Sequence, residues 1–391
     1  MRRLTPLLPF GVLLLLLGLW ATQASRLVPS KDWRLYYDTA SLALAGRLHE
    51  IYPGITPGLP FFYPPFFIWH VIPLGYVPRE MAYGCVVTAM SLALVVSLFA
   101  LRRALDVHRR PIENWIWFVL SSAGCTWMFV TGHISAWYLM LLAVALWLWA
   151  LDLPTHGGLA LSLALTKPHY GLAVLLCVAL AGNWRMVRGA VIGGALLGVS
   201  SYPLGWSTWK SWLAQIGAAS HAAADGATAW KQITVRGFWT AYLGSADGRV
   251  TASWVATAVP LALLASWAAW RSRHSPDRLP RVVGLGVLMA LACGPYAFHY
   301  DGLLLAVPGL VWYLRPESYR VAWVRAGCGV MIVTTYVLQH LGAWIVQGGY
   351  PLTGLAIAGW LVLEALDLSR SGTAGGGIAP VVADDVLARL A

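Results

Sequence analysis

Two charged side chains could do chemistry, because their surroundings in the sequence give them no obvious structural role. Asp32 opens the segment "DWRLYYDTASLALAGRLHEIYPG", which follows the first apolar run of the chain. Lys167 stands inside a later apolar run, directly before Pro168. A carboxylate can accept a proton from an attacking hydroxyl group, and a buried cation can stabilise a departing phosphate. The two residue types therefore suit general-base catalysis beside a group that stabilises developing negative charge.

Other polar side chains interrupt apolar stretches and could belong to the same site. A cation or a hydrogen-bond donor near Lys167 would help to hold a phosphate, and aromatic or imidazole groups would help to bind the rest of a substrate. The candidates of this kind are His299, Arg236, Tyr36, Tyr63, His133 and His169.

Structural explanations compete with these roles. Asp32 could be a solvated surface charge, or it could cap a helix, since a carboxylate is favoured at a helix N-terminus. His299 could be a buried histidine with its hydrogen bonds satisfied. Asp301 could pair with Lys167 or His299, or it could cap a helix. Asp38, further along its helix, is interpreted as a surface charge.

The composition indicates a polytopic membrane protein. Of the 391 residues, 59% are hydrophobic and 11% are charged, whereas soluble proteins carry about 25% charged residues. The net charge of +11 comes largely from arginines in short loops, which is the pattern of a topology signal. Nucleic-acid binding is excluded because no basic patch lies on a soluble domain. The five cysteines all lie in apolar runs and are read as buried, unpaired residues.

The apolar runs define an all-α protein whose helices cross the membrane many times. They lie at about 7–24, 81–101, 115–131, 133–151, 158–181, 187–204, 251–270, 282–297, 301–314, 320–345 and 350–366. The run 158–181 is predicted to be broken at Lys167–Pro168, since proline cannot continue the hydrogen-bond ladder of a helix. Its two halves would be about 14 and 21 Å long. Such short helices persist where they line a protein-walled or watery cavity.

This break also resolves the topology. Four arginine-rich segments, at 101–111, 184–188, 271–281 and 314–325, should all be cytoplasmic. Simple alternation of spans puts 184–188 on the wrong side, and splitting the run at Lys167 puts it on the right one. The remaining connections then share the extracytoplasmic side: 25–80, 131–135, 167–170, 205–250, 298–301 and 346–352.

The chain is predicted to be one integral membrane domain, residues 1–366, followed by a cytoplasmic tail, residues 367–391. The two large extracytoplasmic loops are 25–80 and 205–250. The first loop should hold an amphipathic helix on the membrane surface, with an apolar stripe that includes Tyr36 and Leu44 and with Tyr36 at headgroup level. The N-terminal segment is either a retained first helix, Leu7 to Ala24, or a signal peptide.

A family resemblance rests on residues 32–65 and the adjoining sequence. "DWRLYYDTASLALAGRLHEIY" followed by "FFYPPFFIWHVIPLGYVP" resembles the signature of glycosyltransferase family 87, the polyprenol-phosphate-mannose-dependent mannosyltransferases. The pattern is carried by Asp32, Trp33, Tyr36, Gly46, Tyr52, Phe61, Tyr63, Pro64, Pro65 and Pro73. "TKPHY" is similar to the Lys-Pro motif of the family. "TGHIS" has His133 and Ser135 where relatives have Gln and Asn. "GPYAFHYDG" keeps only Pro295 and His299 of a Ser-Pro-x-Ser-Trp-x-His-His stretch.

The resemblance implies a GT-C fold of about 11–13 transmembrane helices with an extracytoplasmic active site in the bacterial inner membrane. It implies an inverting transfer of a sugar, mannose by analogy, from a polyprenyl phosphate to the hydroxyl of a lipid or glycan acceptor. Asp32 falls at the position of the family's general base. No cofactor is implied, and no Asp-x-Asp motif indicates a divalent metal ion. The expected partners are the donor, the acceptor and membrane lipids, without nucleic acid, and the protein is expected to be a monomer.

A transporter or lipid flippase is the alternative function. Transporters are commonly built from repeated halves with matching broken helices. The sequence shows one break and no counterpart in the other half, which favours the enzyme. A non-catalytic scaffold is a third possibility, but it gives no reason to gather an acid, a lysine and histidines on one face.

Overall fold

The computed structural model describes residues 32–52, 61–105, 113–222, 231–244, 248–275, 278–341 and 352–370. These residues are overwhelmingly helical. Within these ranges no strand is formed, and Gln232 and Phe298 make an isolated antiparallel bridge. The prediction of an all-α fold is confirmed for this part of the chain. The predicted first helix or signal peptide, residues 346–351 and the end of the tail from 371 lie outside it.

The longer helices follow the apolar runs closely. In chain order they are α1 (Asp32–Leu44), α2 (Arg79–Ala104), α3 (Glu113–Leu120), α4 (Ala123–Thr131), α5 (Ser135–Ala150), α6 (Pro154–Ser162), α7 (Pro168–Leu180), α8 (Trp184–Ser200), α9 (Trp206–Ala222), α10 (Val235–Leu243), α11 (Gly248–Arg271), α12 (Leu279–Cys293), α13 (Ala306–Leu314), α14 (Ala322–His340) and α15 (Thr353–Ser369). Short 3₁₀ turns join several of them, at Pro65–Phe67, Leu163–Thr166 and His299–Leu305 among others.

Two of the described helices, α2 and α11, are long and apolar enough to cross a membrane by themselves. Three shorter ones, α5, α7 and α12, are also apolar. At 1.5 Å per residue the 13 residues of α7 span about 20 Å, less than the hydrocarbon core of a bilayer. The total of 11–13 transmembrane helices stays a prediction.

The predicted break at Lys167 is confirmed. Helix α6 ends at Ser162, one 3₁₀ turn follows, and α7 begins at Pro168 with Lys167 outside both helices. The chain reverses here, since Gly171 returns to lie against Ala164. A second reversal at Gly182, which has a φ of 80°, leads into α8. Lys167 is therefore presented at the tip of a helical hairpin.

Helix α8 runs parallel to α6, the first arm of that hairpin, and packs directly against it. Gly158 lies against the backbone of Met186 and Ala190, and Gly193 lies against Ser162. A Cβ atom at Gly158 would collide with the facing backbone. Small residues allow such close approach between apolar helices, so the glycines of "HGGLALS" and "RGAVIGG" hold the hairpin in place.

The four arginine-rich segments meet at one end of the bundle. Three contacts join them: Arg315 Nε donates to the Leu105 carbonyl (3.4 Å), Arg281 Nη1 donates to the Ser318 carbonyl (2.7 Å), and Arg273 packs beside Gly182. We call this the arginine end. Lys167 and Asp301 meet at the other end of α7 and α12, which we call the site end. Which side of a membrane each end faces stays a prediction.

For two of the predicted spans, the prediction of one continuous helix was wrong. The run 115–131 is divided at Ser121–Ser122 into α3 and α4, because the Ser122 hydroxyl accepts a hydrogen bond from the backbone N–H of Cys125 and starts a new helix. The run 301–314 begins as a 3₁₀ turn at His299–Leu305 and becomes α-helical only at Ala306. The number of interrupted helices therefore no longer distinguishes an enzyme from a transporter.

The first-loop helix is also placed differently from the prediction. Helix α1 is present, but it ends at Leu44, which is exposed. Tyr36 is fully buried in the protein against Tyr63 and Phe67, so it does not reach lipid headgroups. Aromatic packing explains the difference. The turn at Pro64–Pro65, extended at Pro64 as predicted, brings these rings over the helix and covers it with protein.

Candidate active site

Asp32 is the first residue of α1, and the start of that helix lies against the loop between α4 and α5. The neighbouring Trp33 packs on Gly132, whose φ of 67° ends α4 in a tight turn, and against Tyr83 of α2. These contacts place Asp32 beside Thr131. The Thr131 hydroxyl is within hydrogen-bonding reach of the Asp32 carboxyl group and of the Trp127 carbonyl.

Both negatively and positively charged side chains act on the carboxyl group of Asp32. Burial raises its pKa to about 6, and the charge of Asp301 adds to that rise. Lys167, Lys231 and the Thr131 hydroxyl act in the opposite direction and favour the carboxylate. The residue as a whole keeps part of its surface exposed, while the carboxyl group itself is desolvated. A pKa near neutrality suits a general base.

Lys167 forms a buried ion pair at the centre of the site. Its ammonium group lies 2.7 Å from Asp301 Oδ1, and both side chains are almost completely shielded. The other oxygen of Asp301 accepts a hydrogen bond from the backbone N–H of Phe298 at 3.0 Å and caps the turn that follows. Two of the predicted alternatives for Asp301 therefore hold together: it pairs with Lys167 and it caps a helical turn.

Aromatic rings enclose the ammonium group of Lys167. Tyr170, Tyr300 and Tyr138 lie with ring centres 5.1, 5.3 and 5.6 Å from its nitrogen. A cation over the face of an aromatic ring is attracted to it, more strongly where water is excluded. The rings hold the charge in place without neutralising it.

A hydrogen-bonded chain runs from α1 to this enclosure. The hydroxyls of Tyr36 and Tyr63 share a hydrogen bond of 2.9 Å, and the Tyr63 hydroxyl lies 3.3 Å from His133 Nε2. His133 Nδ1 is 2.7 Å from the Ser135 hydroxyl, and its ring stacks on Tyr300 at 3.7 Å. Since Tyr300 also faces Lys167, the chain connects the helix of Asp32 with the ion pair.

Arg236 and His299 lie on two segments that pair with one another. His299 N donates to the Lys231 carbonyl (3.1 Å) and Ile233 N donates to the Ala297 carbonyl (2.8 Å). Arg236 is buried, donates to the Pro295 carbonyl at 3.4 Å and lies over the Trp254 ring. The pairing fixes Lys231 close enough for its charge to act on Asp32.

The two remaining histidines differ in position. His299 is buried, and its ring is roughly parallel to that of Trp127. His169 opens α7 beside the rings of Tyr170 and Tyr296. Each of these two rings therefore lies against an aromatic residue beside the site. Their roles in substrate binding stay predictions, as does the role of Arg236.

The aromatic enclosure of Lys167 was missed from the sequence, and so were three contributors that lie within or beside quoted motifs. Thr131 is the first residue of the quoted "TGHIS" motif, and Lys231 precedes Arg236 in "WKQITVR". Tyr300 follows His299 directly and contacts both His133 and Lys167. A polar or aromatic residue beside a suspected site residue was the available signal, but only the fold shows which neighbours face inwards.

The fold and the site together define an α-helical protein, two of whose described helices are able to cross a membrane, with an acid, a cation and buried tyrosines gathered at one end of its bundle. Comparison with sequence models of protein families identifies the family within this class. The sequence model of glycosyltransferase family 87 matches residues 61–295, more than half of the chain, and the chain belongs to this family. The protein is accordingly a glycosyltransferase. No match was found among curated proteins or among solved structures.

The matched residues cover only part of the site. Tyr63, His133, Lys167, His169 and Arg236 lie within 61–295, whereas Asp32, His299 and Asp301 lie outside it. The case for Asp32 therefore depends on its place in the structure, beside Thr131 and within the field of Lys167, and on the residue pattern of the first loop.

Proposed function

We propose that the protein transfers a sugar from a polyprenyl-phosphate donor to an acceptor hydroxyl, with inversion, at the extracytoplasmic face of a bacterial inner membrane. Mannose is the proposed sugar, by resemblance to the polyprenol-phosphate-mannose-dependent members of the family. The acceptor is a lipid or a glycan. The observation that carries the proposal is the juxtaposition of the Asp32 carboxyl group with the Lys167 ammonium group at one end of the helical bundle.

In this reaction the Asp32 carboxylate removes the proton from the acceptor hydroxyl. The acceptor oxygen attacks the anomeric carbon from the side opposite the phosphate, and the bond between that carbon and the phosphate oxygen breaks. The electron pair leaves with the polyprenyl phosphate, whose charge is stabilised by cationic groups. Attack from the opposite side gives a product with inverted anomeric configuration.

Lys167 is the proposed phosphate-binding cation. It is held by aromatic rings at the tip of a short helical hairpin, next to Asp301. An ionisable group at such a depth is costly and is expected to serve a function. Arg236 and His299 are proposed as further phosphate or substrate contacts, with Tyr36, Tyr63, His133 and His169 around them. The proposal needs no metal ion, because the chain supplies positive charge itself.

The test is a transfer assay. Membranes containing the wild-type protein should transfer label from polyprenyl-phosphate [³H]mannose to an endogenous acceptor, and Asp32→Asn should reduce the initial rate about 10³-fold, the typical contribution of a general base. Asp38→Asn is the matched control. It makes the same change on the same helix, and Asp38 pairs with Arg79 at 3.4 Å, away from Lys167.

Near-normal transfer by Asp32→Asn would refute the role of Asp32. Equal loss in Asp38→Asn would show that the first-loop helix, and not its first carboxylate, is what the reaction needs. Movement of the intact donor across the membrane without label transfer would favour the alternative, a lipid flippase.

A further inference from the structure

A second pocket lies at the arginine end of the bundle, away from the proposed active site. It has a volume of about 290 Å³ and lies between the turn that joins α7 to α8 and the segment that joins α11 to α12. Its lining includes Gly182, Asn183, Arg185, Ser272, Arg273 and Ser275. Among the described residues that line it there is no acidic side chain.

The pocket is electropositive for two independent reasons. Arg185 and Arg273 both line it, and Arg185 has no hydrogen bond or ion pair among the described residues. The turn at Gly182–Asn183 also directs the N-terminus of the 17-residue helix α8 at the pocket. The helix dipole makes such an N-terminus a favourable place for an anion, while the Asn183 side chain caps the backbone N–H of Met186.

The surroundings of the pocket favour a lipid over a soluble anion. Trp184 and Trp270 stand at its rim with exposed rings, and Arg273 rests on the Trp270 ring at 4.3 Å. Exposed tryptophans of this kind mark the interface between membrane and water. Beyond the rim, α7 lies between α8 and α11 and exposes Leu172 and Leu176.

Helices α8 and α11 continue this apolar surface. Val191 and Leu196 on α8 and Leu263 and Trp267 on α11 are all strongly exposed. These exposed side chains give the three helices an apolar outer surface next to the cationic pocket. A phospholipid has the complementary form, with a phosphate at one end and acyl chains at the other.

We propose that this pocket binds the headgroup phosphate of an anionic phospholipid, with the acyl chains along the surface of α7. Arg185 and Arg273 bind the phosphate, the dipole of α8 adds to the attraction, and Leu172 and Leu176 contact the chains. The site is separate from the donor site, which lies at the opposite end of α7. Basic pockets between membrane helices recognise anionic headgroups in this manner.

The test measures lipid retention by the full-length protein. Protein purified in neutral detergent and depleted of lipid is mixed with dioleoylphosphatidylglycerol, or with dioleoylphosphatidylcholine as the zwitterionic lipid with the same chains. Native mass spectrometry then counts bound lipids. We expect phosphatidylglycerol to be retained preferentially, and the preference to fall about tenfold or more in Arg185→Gln/Arg273→Gln, since each arginine near an anionic lipid contributes a factor of about five.

The matched control is Arg102→Gln/Arg103→Gln, which removes two charges from exposed arginines in the last turn of α2 at the same end of the bundle. It should keep the preference. An equal loss in both double variants would overturn the proposal, because it would show attraction by general surface charge. Displacement of the lipid by millimolar inorganic phosphate would also overturn it, because the pocket would then be a site for soluble anions.

Folding of the double variant is checked by size-exclusion chromatography. Should the double variant aggregate, the single variant Arg185→Gln replaces it. That side chain is exposed and has no partner among the described residues, so its substitution should not disturb folding. Retention by Arg185→Gln at the wild-type level would then contradict the proposal.

Discussion

Two clusters of buried charge lie at opposite ends of α12, and they are built differently. At the arginine end, Arg281 Nε lies 2.6 Å from Glu364 Oε1, and its Nη1 lies 2.8 Å from Asp367 Oδ2. At the site end, Lys167 pairs with Asp301, while Asp32 stands beside them. Both clusters hold two acids and one cation, so the difference between them lies in what satisfies the acids.

At the arginine end the acids are surrounded by protein donors. Asp367 also accepts hydrogen bonds from the backbone N–H groups of Arg320 and Val321, and Glu364 accepts one from the Tyr319 hydroxyl. The Arg281 guanidinium lies over the Tyr319 ring at 4.0 Å. The cluster ties α12, α15 and the chain before α14 into one unit, which is a structural role.

At the site end Asp301 has its donors, whereas within the described part of the chain Asp32 has only the Thr131 side chain within reach and the more distant charges of Lys167 and Lys231. A carboxylate that is desolvated and incompletely satisfied raises the energy of the folded protein. The contrast indicates that the first cluster maintains the fold and the second is kept for chemistry. The following predictions test that contrast, from the largest expected effect to the smallest.

Arg281→Met should produce the largest loss of stability. It leaves two buried carboxylates without their cation, and breaking a buried ion pair in this way costs about 3–5 kcal/mol. The free energy of unfolding can be measured by SDS titration in mixed micelles. Arg102→Met, at the same end but exposed, should change it by no more than about 0.5 kcal/mol. A small effect of Arg281→Met would contradict the structural role of this cluster.

Asp301→Asn should come next. It removes the partner of a buried ammonium group and should lower the free energy of unfolding by about 3 kcal/mol. Adding Lys167→Met to the same chain removes the stranded charge, and we expect much of the stability to return. Sugar transfer should stay lost in the double variant, because the proposed phosphate contact is gone. Recovery of transfer together with stability would show that Lys167 is structural.

Asp32→Asn and Glu364→Gln should change stability in opposite directions. Because burial raises the pKa of Asp32 to about 6, its ionised form opposes folding at pH 7, and Asn should raise the free energy of unfolding by about 1–3 kcal/mol. The gain should shrink as the pH falls from 7 towards 4 and the folded-state carboxyl group becomes protonated, and it should vanish below about pH 3, where the aspartate is protonated in both the folded and the unfolded state. Glu364→Gln should be destabilising, since Arg281 loses a partner. If both substitutions changed the free energy of unfolding in the same direction, the distinction between the two clusters would be lost.

Tyr63→Phe should have the smallest effect. It removes one hydroxyl that bonds to Tyr36 and His133, and such a bond contributes about 1 kcal/mol. We expect sugar transfer to fall by no more than about tenfold, with the fold intact. Phe62→Leu is the comparison, because it changes the neighbouring aromatic residue, which is not part of the hydrogen-bonded chain. Complete loss of transfer in Tyr63→Phe alone would give the tyrosine a direct chemical role.

The sequence allowed much of the bundle to be predicted, because long apolar runs and proline breaks have few alternative structures. The interruption at Lys167–Pro168 followed from the backbone chemistry of proline. The interruption at Ser121–Ser122 did not, because serine starts a helix only where its hydroxyl finds a free backbone N–H, and that depends on the local geometry. The 3₁₀ turn after Phe298 depends in the same way on the capping carboxylate of Asp301.

Individual residues of the candidate site could be predicted from the sequence, but their arrangement in space could not. Asp32, Lys167 and His133 were each unusual in their own segment, so the sequence could single them out. That His133 stacks on Tyr300, and that Lys231 acts on Asp32, depends on contacts between distant segments. The ionic cluster around Arg281 was missed altogether, although Glu364 and Asp367 lie three residues apart in an apolar run, where acids are costly.

The central claim is that Asp32 and Lys167 share one site, and titration of the Asp32 carboxyl group tests it most directly. The signal is the infrared difference between the wild-type protein and Asp32→Asn, followed as a function of pH. We expect half-ionisation near pH 6, shifting to higher pH when Lys167→Gln is introduced into both proteins, because Lys167 favours the carboxylate. Half-ionisation near pH 4, the ordinary value for aspartate, with no response to Lys167→Gln, would contradict the account.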